Sequence, residues 1–176
     1  MTARPAPTLD TPRLRLRAWR REDLDPYHAI LCEPAVHEHF GPEPMGREEC
    51  WRRMCAAAGN WLMNGFGGLA VTERSTGRLL GSAALFTAWR AFEPEFGDEP
   101  EMGWIMATQS HGQGLAREAC EALLDWAEGM LEPTPVWAII SKGNEPSFRL
   151  AQRLGFERVS DVDYHGPTVV LKRARW

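Results

Sequence analysis

Lysine is nearly absent from this chain of 176 residues, which has only Lys142 and Lys172. A phosphate-binding P-loop needs Gly-Lys followed by Ser or Thr at a helix start, so that reading fails at once. No run approaches the ~20 apolar residues that span a bilayer. The opening MTARPAPTLDTPRLRLRAW also lacks the continuous apolar segment of a secretory signal. The expectation is a cytoplasmic protein with no membrane partner. Neither sign of charge dominates: 20 basic residues face 24 acidic ones, for a net charge of −4. Such a balance gives no field to hold the molecule on nucleic acid. The four cysteines, Cys32, Cys50, Cys55 and Cys120, show no CxxC spacing and are expected to be reduced core residues. The pair His37 and His39 diverges on a helix and has no further ligand cluster nearby, so no metal is expected.

What is present is an ordinary globular composition, 44% hydrophobic and 25% charged, in a length that suits one domain over residues 1–176. Arg13 to Trp19 alternates Arg-Leu-Arg-Leu-Arg-Ala-Trp, the period of a strand whose arginines form the solvated side. Helices are expected from about Glu22 to Cys32 and from about Arg47 to Met63. The second carries Trp51, Met54, Cys55, Ala58 and Trp61 or Leu62 on one face. Leu69–Val71 and Leu79–Phe86 read as a hairpin, Glu101–Met106 as a short strand, and Leu115–Met130 as an amphipathic helix ended by Pro133 and Pro135. Val136–Ile140 is a strand covered on both faces, Asn144–Leu154 a short helix closed by Gly155, and Thr168–Lys172 a last strand. The order is one strand, two helices, a run of strands, then β-α-β-α-β.

Between the strand at Glu101–Met106 and the helix from Leu115 lies Gln109-Ser110-His111-Gly112-Gln113-Gly114-Leu115-Ala116. Glycines at alternate positions let the backbone approach another group closely. The free N–H groups of a helix start, with the helix dipole behind them, favour an anion such as phosphate. A flexible turn feeding a helix would look the same locally. A dinucleotide fingerprint is weakened by Arg117 at the position of its third glycine. Further on come Asn144-Glu145-Pro146-Ser147 and Leu154-Gly155-Phe156, where Asn144 can cap a helix whose N-terminus follows a central strand.

These elements resemble the GNAT superfamily of acyl-CoA N-acyltransferases, and within it the branch of ribosomal-protein N-terminal acetyltransferases. The superfamily pattern Q/R-x-x-G-x-G/A is matched by Gln109, Gly112 and Gly114. The branch's N-x-x-S and L-G-F elements match Asn144, Ser147 and Leu154-Gly155-Phe156. Thr11-Pro12-Arg13-Leu14-Arg15-Leu16-Arg17 with Asp23, and Glu101-Met102-Gly103-Trp104, are similar to further branch motifs, so the likeness spans about residues 10–173. It implies a mixed, mostly antiparallel α/β sheet flanked by helices. It also implies acetyl-CoA as cosubstrate, with its pyrophosphate on Gln109, His111, Gly112, Gln113, Gly114, Leu115 and Ala116. The pantetheine would pair with Trp104, Ile105 and Met106, near Asn144. Acetyl passes to a primary amine by direct attack, without an acetyl-enzyme. A tyrosine that many members place in the last helix as acid is replaced here by Ala151.

The acceptor implied by the branch is a ribosomal or other protein N-terminus. A small amine (antibiotic, polyamine or amino acid) and a non-catalytic acyl-CoA sensor are the alternatives, with the chain a monomer or homodimer. Glu101 is the candidate base through water, and Ser147 the candidate acid or hydrogen-bond donor to the departing sulfur. Glu93, Glu95, Asp98, Glu99 and Glu101 put five carboxylates into nine residues, which would draw a cationic acceptor, and Trp89 beside them could line its pocket.

Overall fold

The computed structural model describes residues 4–41 and 43–176. Eight strands form one sheet in the order β1-β2-β3-β4-β5-β6-β8-β7: Leu9–Asp10, Leu14–Arg17, Gly68–Glu73, Leu79–Phe86, Glu101–Met106, Val136–Ser141, Glu157–Asp163 (β7) and Pro167–Arg173 (β8). Every neighbouring pair is antiparallel except β5 with β6. The helices are α1 (Leu24–Leu31), α2 (Pro34–His37), α3 (Arg47–Asn64), α4 (Leu115–Met130) and α5 (Glu145–Arg153). This is the mixed, mostly antiparallel sheet with flanking helices expected from the resemblance.

The broad apolar stripe of α4 buries Leu115, Ala119, Cys120, Leu123, Leu124 and Ala127 in the main core. Alternation in β2 sends Leu14 and Leu16 into the same core. Not all its arginines are solvated: Arg17 gives two 2.7 Å bonds to the buried carboxylate of Asp23. Strand β6 is covered on both faces, with Val136, Ala138 and Ile140 in the main core. On the other face Phe96 of the 87–100 loop stacks on Trp137, ring centroids 4.4 Å apart and planes 8° from parallel.

Helix α3 keeps Met54 and Trp61 of the expected face inward but not the rest. It buries Cys50, Met54 and Trp61, while Trp51, Cys55, Ala58 and Leu62 are exposed. The sequence offers two adjacent apolar stripes about 100° apart, and the sheet takes the one headed by Cys50. Cys55 is therefore no core residue, and all four cysteines are free thiols. The strand β7, unassigned from sequence, is a sheet edge with mostly exposed residues, so it lacks the apolar signal of a covered strand. Among the described residues no helix is long and apolar enough to cross a membrane.

The sheet splits at its centre. Strands β4 and β5 stay in register over six residue pairs, and so do β6 and β8, but β5 and β6 meet at the single pair Glu101 and Trp137. Beyond that pair the two parallel strands diverge, and β5 faces a gap.

Candidate active site

The gap gives β5 an unpartnered edge. Ala107 donates to the Leu80 carbonyl of β4 at 2.8 Å, and the two-residue alternation of an antiparallel ladder turns the N–H groups of Met106 and Trp104 the other way. They face the space between β5 and β6, an edge able to pair with an extended amide chain.

At the open end of β5 the chain makes a short turn at Thr108–Ser110 and reaches the glycine loop. Gly112 and Gly114 take left-handed backbone angles, with φ of +71° and +74°. Gly114 is the residue before α4, and no side chain caps the helix. The first-turn N–H groups, Leu115 among them, are thus free to meet an anion. A Cβ built on Gly112 would meet nothing within 4 Å, so the approach is open. The other loop residues hold this shape. His111 Nε2 lies 3.0 Å from the Met106 carbonyl, Gln113 Nε2 donates to the Gln109 carbonyl at 2.6 Å, and Gln109 Oε1 accepts from Arg78 at 3.1 Å. The Leu115 side chain is buried in the core and Ala116 half-buried, so these two can offer only backbone to a ligand. Arg13 reaches the loop from before β2. It donates to the Gln113 carbonyl at 2.9 Å and pairs with Glu118 of α4 through Nε at 2.7 Å. Arg78 had no motif to single it out, and Arg13 stood in the first-strand motif without a role at this loop.

Inside the gap lies a cavity of about 510 Å³, lined by Trp104, Ile105, Asn144, Ser147, Glu101 and residues of α3. Asn144 caps α5 as expected, its Oδ1 accepting from the Ser147 N–H at 3.2 Å. The Ser147 hydroxyl oxygen accepts from Trp104 Nε1 at 3.3 Å. That donor occupies one lone pair and leaves the hydroxyl proton to give elsewhere.

Glu101 lines the cavity but is only 3% exposed, and both its oxygens are taken. Arg90 Nε donates to one and Arg90 Nη2 to the other, each at 2.7 Å. Burial pushes the Glu101 carboxyl above its usual range, while the Arg90 hydrogen bonds and charge pull it back. Arg90 Nη1 also donates to the Tyr164 hydroxyl at 2.9 Å. Tyr27, also in the lining, bonds the Ser82 hydroxyl at 3.0 Å. Burial pushes its phenol up to about 12 against the Ser82 bond, so at neutral pH it is an uncharged group rather than a base.

The structure does not bring Glu93, Glu95, Asp98 or Trp89 into the cavity. All four are exposed, Trp89 to 72%, and none contributes to the lining. The loop turns Phe92 and Phe96 inward against β6 and leaves Glu93, Glu95 and Asp98 outward. Glu99 is committed to Trp137 Nε1 at 2.6 Å and to Lys172 at 3.0 Å. Among the described residues no three His, Cys, Asp or Glu side chains converge as a metal site requires.

A mostly antiparallel sheet split between its parallel central strands, with an uncapped helix starting at the split, is the GNAT acetyltransferase architecture. The chain belongs to that family: the acetyltransferase (GNAT) domain model matches residues 13–157. Among solved structures it is similar to one from Bordetella pertussis placed in the GnaT acetyltransferase family, 31% identical, covering 96% of this chain and 99% of that one, with a TM-score of 0.82. An acetyltransferase from Agrobacterium tumefaciens is 28% identical over 94% of this chain and 93% of its own, TM-score 0.80. A phosphinothricin acetyltransferase from Sinorhizobium meliloti, solved with AcCoA, is 19% identical over 98% and 89%, TM-score 0.70, and shares the fold.

Proposed function

We infer that this protein transfers the acetyl group of acetyl-CoA to a primary amine by direct attack within a ternary complex. The observation that carries this reading is the unpartnered β5 edge, which runs from the uncapped start of α4 into a cavity lined by Ser147. Each part has a task. The first-turn N–H groups of α4 and the backbone of Gly112 and Gly114 hold the pyrophosphate, and the Trp104 and Met106 amides pair with the pantetheine. At the β5 edge an N–H group polarises the thioester carbonyl. The carbon–nitrogen bond forms, the carbon–sulfur bond breaks, and the Ser147 hydroxyl donates to the departing sulfur. An α-amino group has an ordinary pKa of about 7.7–8.0, so a useful fraction is neutral near pH 7 and its last proton can pass to water.

The fold does not choose the acceptor. Structures sharing it include the phosphinothricin enzyme and a ribosomal-protein-S5-alanine acetyltransferase from Vibrio fischeri. A cavity of about 510 Å³, part of which must take the thioester end, lies in the range of small-molecule sites and admits a small amine or the first residue of a peptide. The test is thiol release from acetyl-CoA in the presence of amino acids, polyamines and N-terminal peptides. Amine-dependent release is expected, and its absence with every amine would overturn the reading.

A further inference from the structure

Glu101, the one carboxylate that the described residues bring to the cavity wall, is already occupied. The ionised side chains of the lining are Arg53, Arg90 and Glu101, and Glu101 is locked to Arg90. Counted over these three groups, the wall carries one more positive than negative charge. Arg53 adds to it from α3, its guanidinium resting 5.2 Å from the Phe40 ring centroid and 3.5 Å from Glu49. Trp19 also lines the cavity, and its buried Nε1 has no hydrogen-bond partner among the described residues.

Arg90 has the more specific geometry. A guanidinium offers five N–H bonds. Glu101 takes the Nε and one Nη2 proton, and Tyr164 takes one on Nη1. The remaining two, one on each terminal nitrogen, have no acceptor among the described residues. As charged donors on neighbouring nitrogens, they remain to meet a carboxylate. The Tyr164 ring centroid lies 5.1 Å from Arg90 Cζ. Held along one edge by Glu101 and at Nη1 by Tyr164, the guanidinium is fixed before any ligand arrives.

Resting on the amine-acetylation reading above, we propose that Arg90 binds a carboxylate of the acceptor. The substrate is then a small amine bearing that carboxylate, an amino acid, rather than a polyamine or a protein N-terminus. Glu101 acts through Arg90 as a positioning residue and does not touch the acceptor.

The experiment compares matched acceptors with the intact chain: free amino acids, their carboxamides and their decarboxylated amines, each assayed by thiol release from acetyl-CoA. The acid of the preferred set should exceed both partners in kcat/KM by at least about tenfold, with most of the difference in KM. Carboxamides or plain amines that react as well as the acids overturn the carboxylate assignment and leave acetyl transfer standing. No acetylation of any amine, with acetyl-CoA binding intact by calorimetry, overturns both. The double variant Arg90→Gln/Glu101→Gln removes both buried charges together, so that neither is left unpaired. It should bring the acid down to the level of its carboxamide. A double variant that still binds acetyl-CoA yet keeps the acid preference overturns the proposal. The analogue series decides alone should the variant not fold.

Discussion

Gly114→Leu should weaken acetyl-CoA binding at least tenfold while leaving the fold in place. Gly114 stands at φ 74° and ψ 8°, immediately before α4. An L-residue there costs on the order of 1–2 kcal/mol. The cost is in the backbone and not in a clash, because a Cβ at this position meets nothing closer than Arg13 Nη2 at 3.8 Å. The chain can relieve the strain only by rotating residue 114 away from the left-handed region. That rotation re-aims the N–H groups at the start of α4 and disturbs the 2.9 Å bond from Arg13 to the Gln113 carbonyl. A penalty of about 1.4 kcal/mol on the bound arrangement is a tenfold loss of affinity. The same loss is small beside the ~5–15 kcal/mol that stabilises a domain. Calorimetric titration with acetyl-CoA measures the first quantity and urea unfolding the second, with Gly114→Ala as a less bulky control carrying the same backbone penalty. A leucine variant with a lowered urea midpoint but the parent's acetyl-CoA affinity would refute the placement of the phosphates on this loop.

Glu101→Gln should raise the acceptor KM and leave the shape of the pH–rate profile unchanged, because its partner Arg90 loses its anchor; a defect confined to low pH would instead mark Glu101 as the base. The same variant leaves Arg90 half-paired in a buried place, and urea unfolding should show a loss of about 3 kcal/mol. Ser147→Ala should lower kcat with little change in acetyl-CoA affinity, since a donor to the departing sulfur acts as charge develops there; an affinity loss at unchanged kcat makes Ser147 a binding residue only. Glu118 ties α4 to the segment before β2: burial raises its carboxyl, but bonds from Thr11 and from the Arg13 backbone and guanidinium outweigh this and hold it below its usual value. Its stabilisation is therefore present above the ordinary carboxylate pKa and lost as pH falls through the lowered one. The urea midpoints of the parent and Glu118→Gln should differ at pH 7 by the equivalent of about 1 kcal/mol and converge toward pH 3.

The parts legible in the sequence are those whose signal is local. Strand β5 and helix α4 begin and end where expected, because a mostly apolar hexapeptide follows Pro100 and a broad stripe runs from Leu115 to Met130, with Pro133 just beyond to stop the helix. The glycine loop and the Asn144 cap are short patterns with a direct backbone meaning, and both take the expected shapes. What stayed hidden depends on distance in the chain. Glu101 was visible as a carboxylate, but its mate Arg90 stands eleven residues earlier in an aperiodic loop and Tyr164 seventy-four after Arg90, and no spacing encodes their meeting. The acidic loop shows the same limit. Its composition announces charge, but the folded loop packs Phe96 on Trp137 and leaves Glu93, Glu95 and Asp98 outside the cavity. In α3 the choice between two apolar stripes is made by the sheet and not by the helix.

The placement of acetyl-CoA along β5 is tested most directly by amide hydrogen exchange at Trp104 and Met106, with and without acetyl-CoA. Both N–H groups face the gap between β5 and β6 without a strand partner, so saturating ligand should slow their exchange markedly while Ala107, already bonded to Leu80, changes little. Acetyl-CoA that binds, as calorimetry would show, yet leaves Trp104 and Met106 exchanging as in the free protein would contradict the β5 edge as its seat.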